Sequence, residues 1–193
     1  MVTTLIRFLV PGTSNRFRCG GLSVELQTAR LVAGLCATEV VTYRQRQLDS
    51  PFLDDCLKRE KPDPRVLWIV SWGFDVPGLI RRLRGHRVAY HAHSSGYGFD
   101  LPAGVPVLAV SRNTLGYWGA RAPRNPLCLV PNALADPWFT RGARRRDGLR
   151  PIDVLVQARK SSPYVLNHLV PALLRAGLRV EVQNGWVDDL VEL

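Results

Sequence analysis

Two histidines, His91 and His93, stand two residues apart in the segment Tyr90-His91-Ala92-His93-Ser94-Ser95-Gly96-Tyr97-Gly98. Side chains two apart on an extended strand share a face. Here an apolar run gives way to Ser and Gly, so both rings sit where a strand opens into a loop. A histidine in that place can act as a general base or bind a hydroxyl. The same pair also suits a buried, hydrogen-bonded arrangement. The spacing is compatible with a metal, but no third ligand has matching spacing and the nearest acid along the chain is Asp100, so no metal site is assigned.

Two further places carry anion chemistry. The turn after the first apolar run ends in Cys19-Gly20-Gly21 and leads into a helical pattern. A glycine pair at a helix start lets backbone N–H groups approach an anion. The full G-x-G-x-x-G spacing is absent, so this is no dinucleotide fingerprint. Farther on, Arg159 and Lys160 precede Ser161-Ser162-Pro163. Adjacent cations ahead of a helix start make a phosphate site, or else a solvated charge pair. Ser111 reads as a helix cap, and Arg112 in the first turn is electrostatically unhelpful to its helix, which weakly favours a ligand role.

The elements that must position these residues alternate between strand and helix. Strands are expected at 5–10, 39–43, 66–71, 87–91, 105–110 and 127–130, each a short apolar run bounded by turn residues. Leu22, Leu26, Ala29, Ala33 and Cys36 fall on one face of a helix. A short helix is expected around 51–59. Another is expected after Asp75, which can cap it, with Gly85 ending it. Strand and helix in alternation argue for a parallel sheet covered on both faces, a Rossmann-like α/β domain. A second unit restarts near 152 with a strand to 157, a capped helix interrupted by Pro171, and a strand at 178–183. Residues 141–150, with five Arg, read as a linker. Two strands and a helix cannot cover both faces of a sheet, so the second unit reads as incomplete. The helical pattern from 187 onward is cut by the last residue.

Composition narrows the class. The chain has 193 residues, 46% hydrophobic and 22% charged, which excludes wholesale disorder, collagen and coiled coil. No run approaches the ~18 apolar residues of a membrane span, and residues 1–10 lack the basic start and cleavage site of a signal peptide. Cys19, Cys36, Cys56 and Cys128 share no C-x-x-C spacing, so reduced thiols in a cytoplasmic protein are expected. The net charge is +10, and 23 of the 26 basic residues are Arg. Such a chain is drawn to phosphates, nucleic acid or an acidic membrane surface. No zinc finger, helix-turn-helix or RNP signature supports nucleic acid.

Taken in order, these pieces resemble the GT-B glycosyltransferases, in particular the family 4 type that uses nucleotide sugars. The resemblance runs from Gly20-Gly21-Leu22-Ser23-Val24-Glu25-Leu26, through Val88-Ala89-Tyr90-His91-Ala92-His93-Ser94, to Leu129-Val130-Pro131-Asn132-Ala133-Leu134-Ala135-Asp136, and ends on the strand and basic loop 154–160. It departs from the family pattern at Ala133, where Gly is usual, at Asp136, one residue late, and in the adjacency of Arg159 and Lys160. The family's downstream acidic motif has no counterpart.

The resemblance implies two Rossmann-like domains: an acceptor domain over 1–140, a linker over 141–150, and the first part of a nucleotide-sugar domain over 151–193. It implies His93 as the cleft histidine, with His91 second, and Gly20 and Gly21 near the donor phosphates. Arg159 and Lys160 would neutralise the leaving diphosphate, with no obligatory metal. The expected partners are a UDP- or GDP-sugar and a hydroxyl acceptor. Peripheral contact with an anionic membrane is compatible with the charge, and nucleic acid is not expected. The competing expectation is a non-catalytic anion-binding or assembly module that needs a partner subunit.

Overall fold

The computed structural model describes residues 4–17, 19–71, 73–133 and 151–185. The chain divides into two compact units, Met1–Leu134 and Ala135–Leu193. The expected linker 141–150, residues 134–136 of the motif above and the helical pattern from 187 lie outside the described residues.

The first unit is a six-stranded, wholly parallel sheet. Its strands are β1 (Leu5–Val10), β2 (Ala37–Thr42), β3 (Val66–Val70), β4 (Arg87–Ala92), β5 (Val107–Ala109) and β6 (Leu127–Leu129), in the spatial order β2-β1-β3-β4-β5-β6. The helices of this unit are α1 (Gly20–Ala33), α2 (Leu53–Arg59), α3 (Val76–Arg82) and α4 (Arg112–Arg121). The α/β, Rossmann-like expectation is met. Strands are added on one side of β1 with β2 and on the other from β3 onward, so the carboxyl ends of β1 and β3 flank a crevice where such sheets bind ligands.

The two sheet faces are packed differently. One buries Leu9, Val41, Trp68, Val70, Tyr90 and Val107 against Leu53 and Cys56 of α2, Val76, Leu79 and Ile80 of α3, and Trp118 of α4. The other has a smaller core, in which Phe8, Ile69 and Ala89 meet Ala29 of α1. Phe8 pairs with Ile69, and Ile69 with Ala89, in the strand register. A straight row of three small-to-large side chains therefore crosses β1, β3 and β4 beneath α1.

Charged groups tie the elements together. Arg7, whose charge breaks the apolar run of β1, is buried. Its Nε donates to Glu39 on β2 at 2.8 Å, and its two terminal nitrogens donate to Glu60 at 2.5 and 3.0 Å. Its guanidinium lies 4.9 Å from the centre of the Trp68 ring. Asp75 does not cap α3: its backbone is already helical and its side chain makes no cap hydrogen bond. The carboxylate instead accepts from the Tyr43 hydroxyl at 2.7 Å and from Arg44 at 2.6 Å. The expected Ser111 cap is present, with Oγ accepting from Thr114 N at 3.1 Å. Gly85 takes the left-handed conformation, φ 91°, where α3 gives way to β4.

In the second unit β7 (Val154–Gln157) pairs in parallel with β8 (Val180–Gln183). Asp153 and Arg179 clamp the start of both strands. Asp153 accepts from the Arg179 backbone N at 2.8 Å and from its guanidinium at 2.8 and 3.0 Å, which holds its carboxyl down at about 2. The break expected at Pro171 takes a specific form. A π-turn over Val165–Leu169 runs straight into α5 (Val170–Arg175). Proline has no N–H to donate to the preceding turn, and widening that turn lets the helix continue.

Candidate functional site

His91 is near the carboxyl end of β4, and His93 lies one residue beyond the strand. Both rings turn to a side chain that the sequence reading did not single out, Glu25 of α1. Its Oε2 lies 2.6 Å from His91 Nδ1 and 2.8 Å from His93 Nε2. The two imidazole centres are 4.3 Å apart. Glu25 is 0% exposed and His91 2% exposed, whereas the His93 side chain is 13% exposed. His93 is therefore the member of the group that meets the surface.

The encounter follows from the row beneath α1. Ala29 sits over Phe8, Ile69 and Ala89. Four residues back along the helix is Glu25, about 6 Å of rise. Two residues forward along β4 from Ala89 is His91, about 6.6 Å of rise. Helix and strand run in opposite senses, so the two displacements match. The buried residues of α1 are Leu22, Glu25 and Ala29, spaced by three and four. Leu26, expected on that face, is only partly buried. A glutamate on the buried stripe of an amphipathic helix was the available signal.

Electrostatics keep Glu25 charged. Burial alone would push its carboxyl up; hydrogen bonds from His91 and His93, and their charge, outweigh it and hold the group below the usual carboxylate range. Two atoms of the group, Glu25 Oε1 and His91 Nε2, are buried without a hydrogen-bond partner among the described residues.

Glu25, His91 and His93 together have the donor types of a two-histidine, one-carboxylate metal centre, with one ligand atom from each within 4.8 Å of the others. The nitrogen–oxygen spacings are those of hydrogen bonds. Donors held tetrahedrally at 2.0–2.2 Å from an ion sit roughly 3.3–3.6 Å apart, so an ion here would have to part both pairs.

The loop beyond His93 is held from α4. Trp118 Nε1 donates to Ser94 O at 3.4 Å, and Arg121 donates to Phe99 O at 3.1 Å and Gly98 O at 2.9 Å. Gly96 and Gly98 have φ of 86° and 73°, a conformation that costs other residues strain. Next to this loop Tyr97 meets Phe74, edge to face at 5.5 Å, and Phe74 is largely exposed.

Gly20 and Gly21 are the first two residues of α1, and Cys19 caps them, its Sγ accepting from Leu22 N at 3.5 Å. They stand little more than one turn before Glu25, at the same end of the sheet. Apart from its chain neighbours and the backbone of α1, a Cβ built on Gly20 meets no heavy atom of the described residues within 4 Å, and its φ is not positive. Packing among the described residues does not require a glycine there. Arg112 is exposed at the start of α4.

Arg159 and Lys160 belong to the second unit. They occupy a single 3-10 turn, Ala158–Lys160, immediately after β7, and both are exposed. Ser161 Oγ donates back to Gln157 O at 3.0 Å, and Ser162 Oγ accepts from Val165 N at 3.4 Å, capping the helical segment that follows.

The chain matches no family model, no curated protein and no solved structure.

Proposed function

We propose that this chain is a glycosyltransferase of the GT-B type, with an acceptor domain in its first unit and the opening part of a nucleotide-sugar domain in its second. One observation carries the reading. A half-buried histidine, fixed by a buried carboxylate, lies at the carboxyl end of a parallel doubly wound sheet, on the same side as a glycine-led helix start. That is where open α/β sheets take their ligands. His93 would bind or activate the acceptor hydroxyl, with His91 supporting it from the buried side. Gly20 and Gly21 would let α1 approach the donor phosphates, and Arg159 and Lys160 would offset the charge of the leaving diphosphate. The donor would be a UDP- or GDP-sugar, without an obligatory metal.

No helix among the described residues is long and apolar enough to cross a membrane. The proposed setting is the cytoplasm, with peripheral contact to an anionic membrane where the acceptor is lipid-linked.

Calorimetry with a panel of UDP- and GDP-sugars tests this. The expected result is saturable binding of one nucleotide class, weakened at least about tenfold in Arg159→Ala/Lys160→Ala, the loss of about 1.4 kcal/mol or more that two charge-assisted contacts supply. A folded protein that binds none of them sinks the proposal for this chain.

One observation favours the competing reading of an assembly module. Leu155, Tyr164, Leu169, Leu174 and Leu178 of the second unit are all exposed, and a partner subunit could cover them. Concentration-dependent self-association, with no donor binding, would favour that alternative.

A further inference from the structure

A carboxylate only accepts hydrogen bonds. Glu25 is held ionised, and its Oε2 faces one nitrogen from each histidine. Both of those nitrogens must therefore carry a proton. For neutral His93 this leaves a single arrangement: the proton on Nε2, facing Glu25, and the lone pair on Nδ1. The same logic gives His91 a proton on Nδ1 and a lone pair on Nε2, an atom that is buried and unpartnered.

We propose that Glu25 is a positioning residue: it fixes the tautomer of His93, so that Nδ1 is the atom that accepts a hydrogen bond from a substrate hydroxyl. This rests on the glycosyltransferase reading only for the identity of the hydroxyl; the tautomer assignment stands on the geometry. His91 has a different part. It shares Oε2 from the buried side and, with His93, holds the carboxylate between two donors, one on β4 and one just beyond it. His91 is out of reach of a substrate, being 2% exposed, and the pair divides into one presented ring and one supporting ring.

The change Glu25→Leu breaks this logic. Both rings face the single oxygen Oε2, and leucine offers no acceptor in its place. Glu25→Leu can therefore no longer hold the proton of His93 on Nε2 or that of His91 on Nδ1.

The test is nitrogen-15 NMR of the imidazole rings at a pH where they are neutral, with signals assigned through His93→Gln and His91→Gln. In the wild type, His93 is expected as the Nε2-protonated tautomer and His91 as the Nδ1-protonated one. Glu25→Leu is expected to mix or invert at least one of these assignments, and Glu25→Asp to restore part of the bias. A wild-type His93 protonated on Nδ1, or unchanged tautomers in a folded Glu25→Leu, overturns the proposal. The wild-type spectrum decides by itself should the variant not fold. Donor turnover separates this from the functional reading. If transfer is found, Glu25→Leu should lower kcat about 100-fold with donor affinity unchanged. If the tautomers are as expected but no transfer is found, the glycosyltransferase reading fails and the positioning role of Glu25 stands.

Discussion

Arg7 and Glu25 are both charged, both buried and both placed between neighbouring elements, yet they are stabilised in opposite ways. Arg7 donates to two carboxylates that are themselves half exposed, Glu39 and Glu60, and lies against Trp68. Glu25 accepts from two rings that are more deeply enclosed. Breaking a buried ion pair from one side leaves an uncompensated charge or an empty cleft. Arg7→Ala should therefore destabilise the first unit by about 3 kcal/mol, as read from the urea midpoint. Glu60→Ala should cost less and couple measurably to Arg7→Ala in a double-variant cycle. Additive effects of the two changes would refute a direct Arg7–Glu60 interaction.

At the scale of elements, α1 holds both Glu25 and the glycine-led start, and its first residue separates fold from function. Gly20 is exposed, and outside its own stretch of α1 no described residue comes within 4 Å of an added Cβ. Gly20→Ala should leave stability within about 1 kcal/mol of wild type, since helix positions accept Ala readily. On the proposed function it should weaken nucleotide-sugar binding, because a methyl group would stand where a phosphate approaches the backbone. Paired thermal melts and calorimetry read both quantities; equal affinity in the two proteins would remove Gly20 from the donor site.

Most strand positions were legible because β1, β3, β5 and β6 are short apolar runs with Pro or Ser within two residues of their ends. The first strand runs from Leu5 to Val10 as the sequence reading has it. Glu25 was not legible through the same logic, since its partners lie 66 and 68 residues away and only the crossing of α1 over β4 brings them together. Asp75 misled for a related reason. Its local context is that of a helix cap, but Tyr43 and Arg44, from the end of β2, offer the carboxylate stronger donors. Pro171 signalled an interruption, and no local rule tells a kink from a π-turn.

Across the whole molecule, acid should act in two stages. Burial first, with the charge of Arg7, holds His86 below its ordinary pKa, against a smaller upward pull from Glu60. The unfolded chain then takes up a proton at His86 near pH 6.5, before the folded one does. Glu25 and Glu60 are displaced downward in the folded state, the latter mainly by its hydrogen bond from Arg7. Their stabilisation is complete above the unfolded carboxylate value of about 4.3 and disappears as pH falls through their lower folded values. Urea midpoints should therefore begin to fall below about pH 6.5 and fall again below about pH 4.3. His86→Gln should reduce the first decline and leave the second. A midpoint constant from pH 8 to 5 in the wild type would refute the assignment to His86.

The strand order also bears on how the chain is made. β1, which precedes the other strands in the chain, is an interior strand with β2 on one side and β3 on the other. From β3 onward each newly completed strand takes the place beside the one before it, through β4 and β5 to β6. A ribosome delivering about 5–20 residues per second thus releases the strands in the order in which the sheet grows. After β2, each addition extends one advancing edge and covers the hydrogen-bonding groups that the previous strand left open, so the nascent chain can assemble as it emerges without holding an early strand unpaired for a late partner.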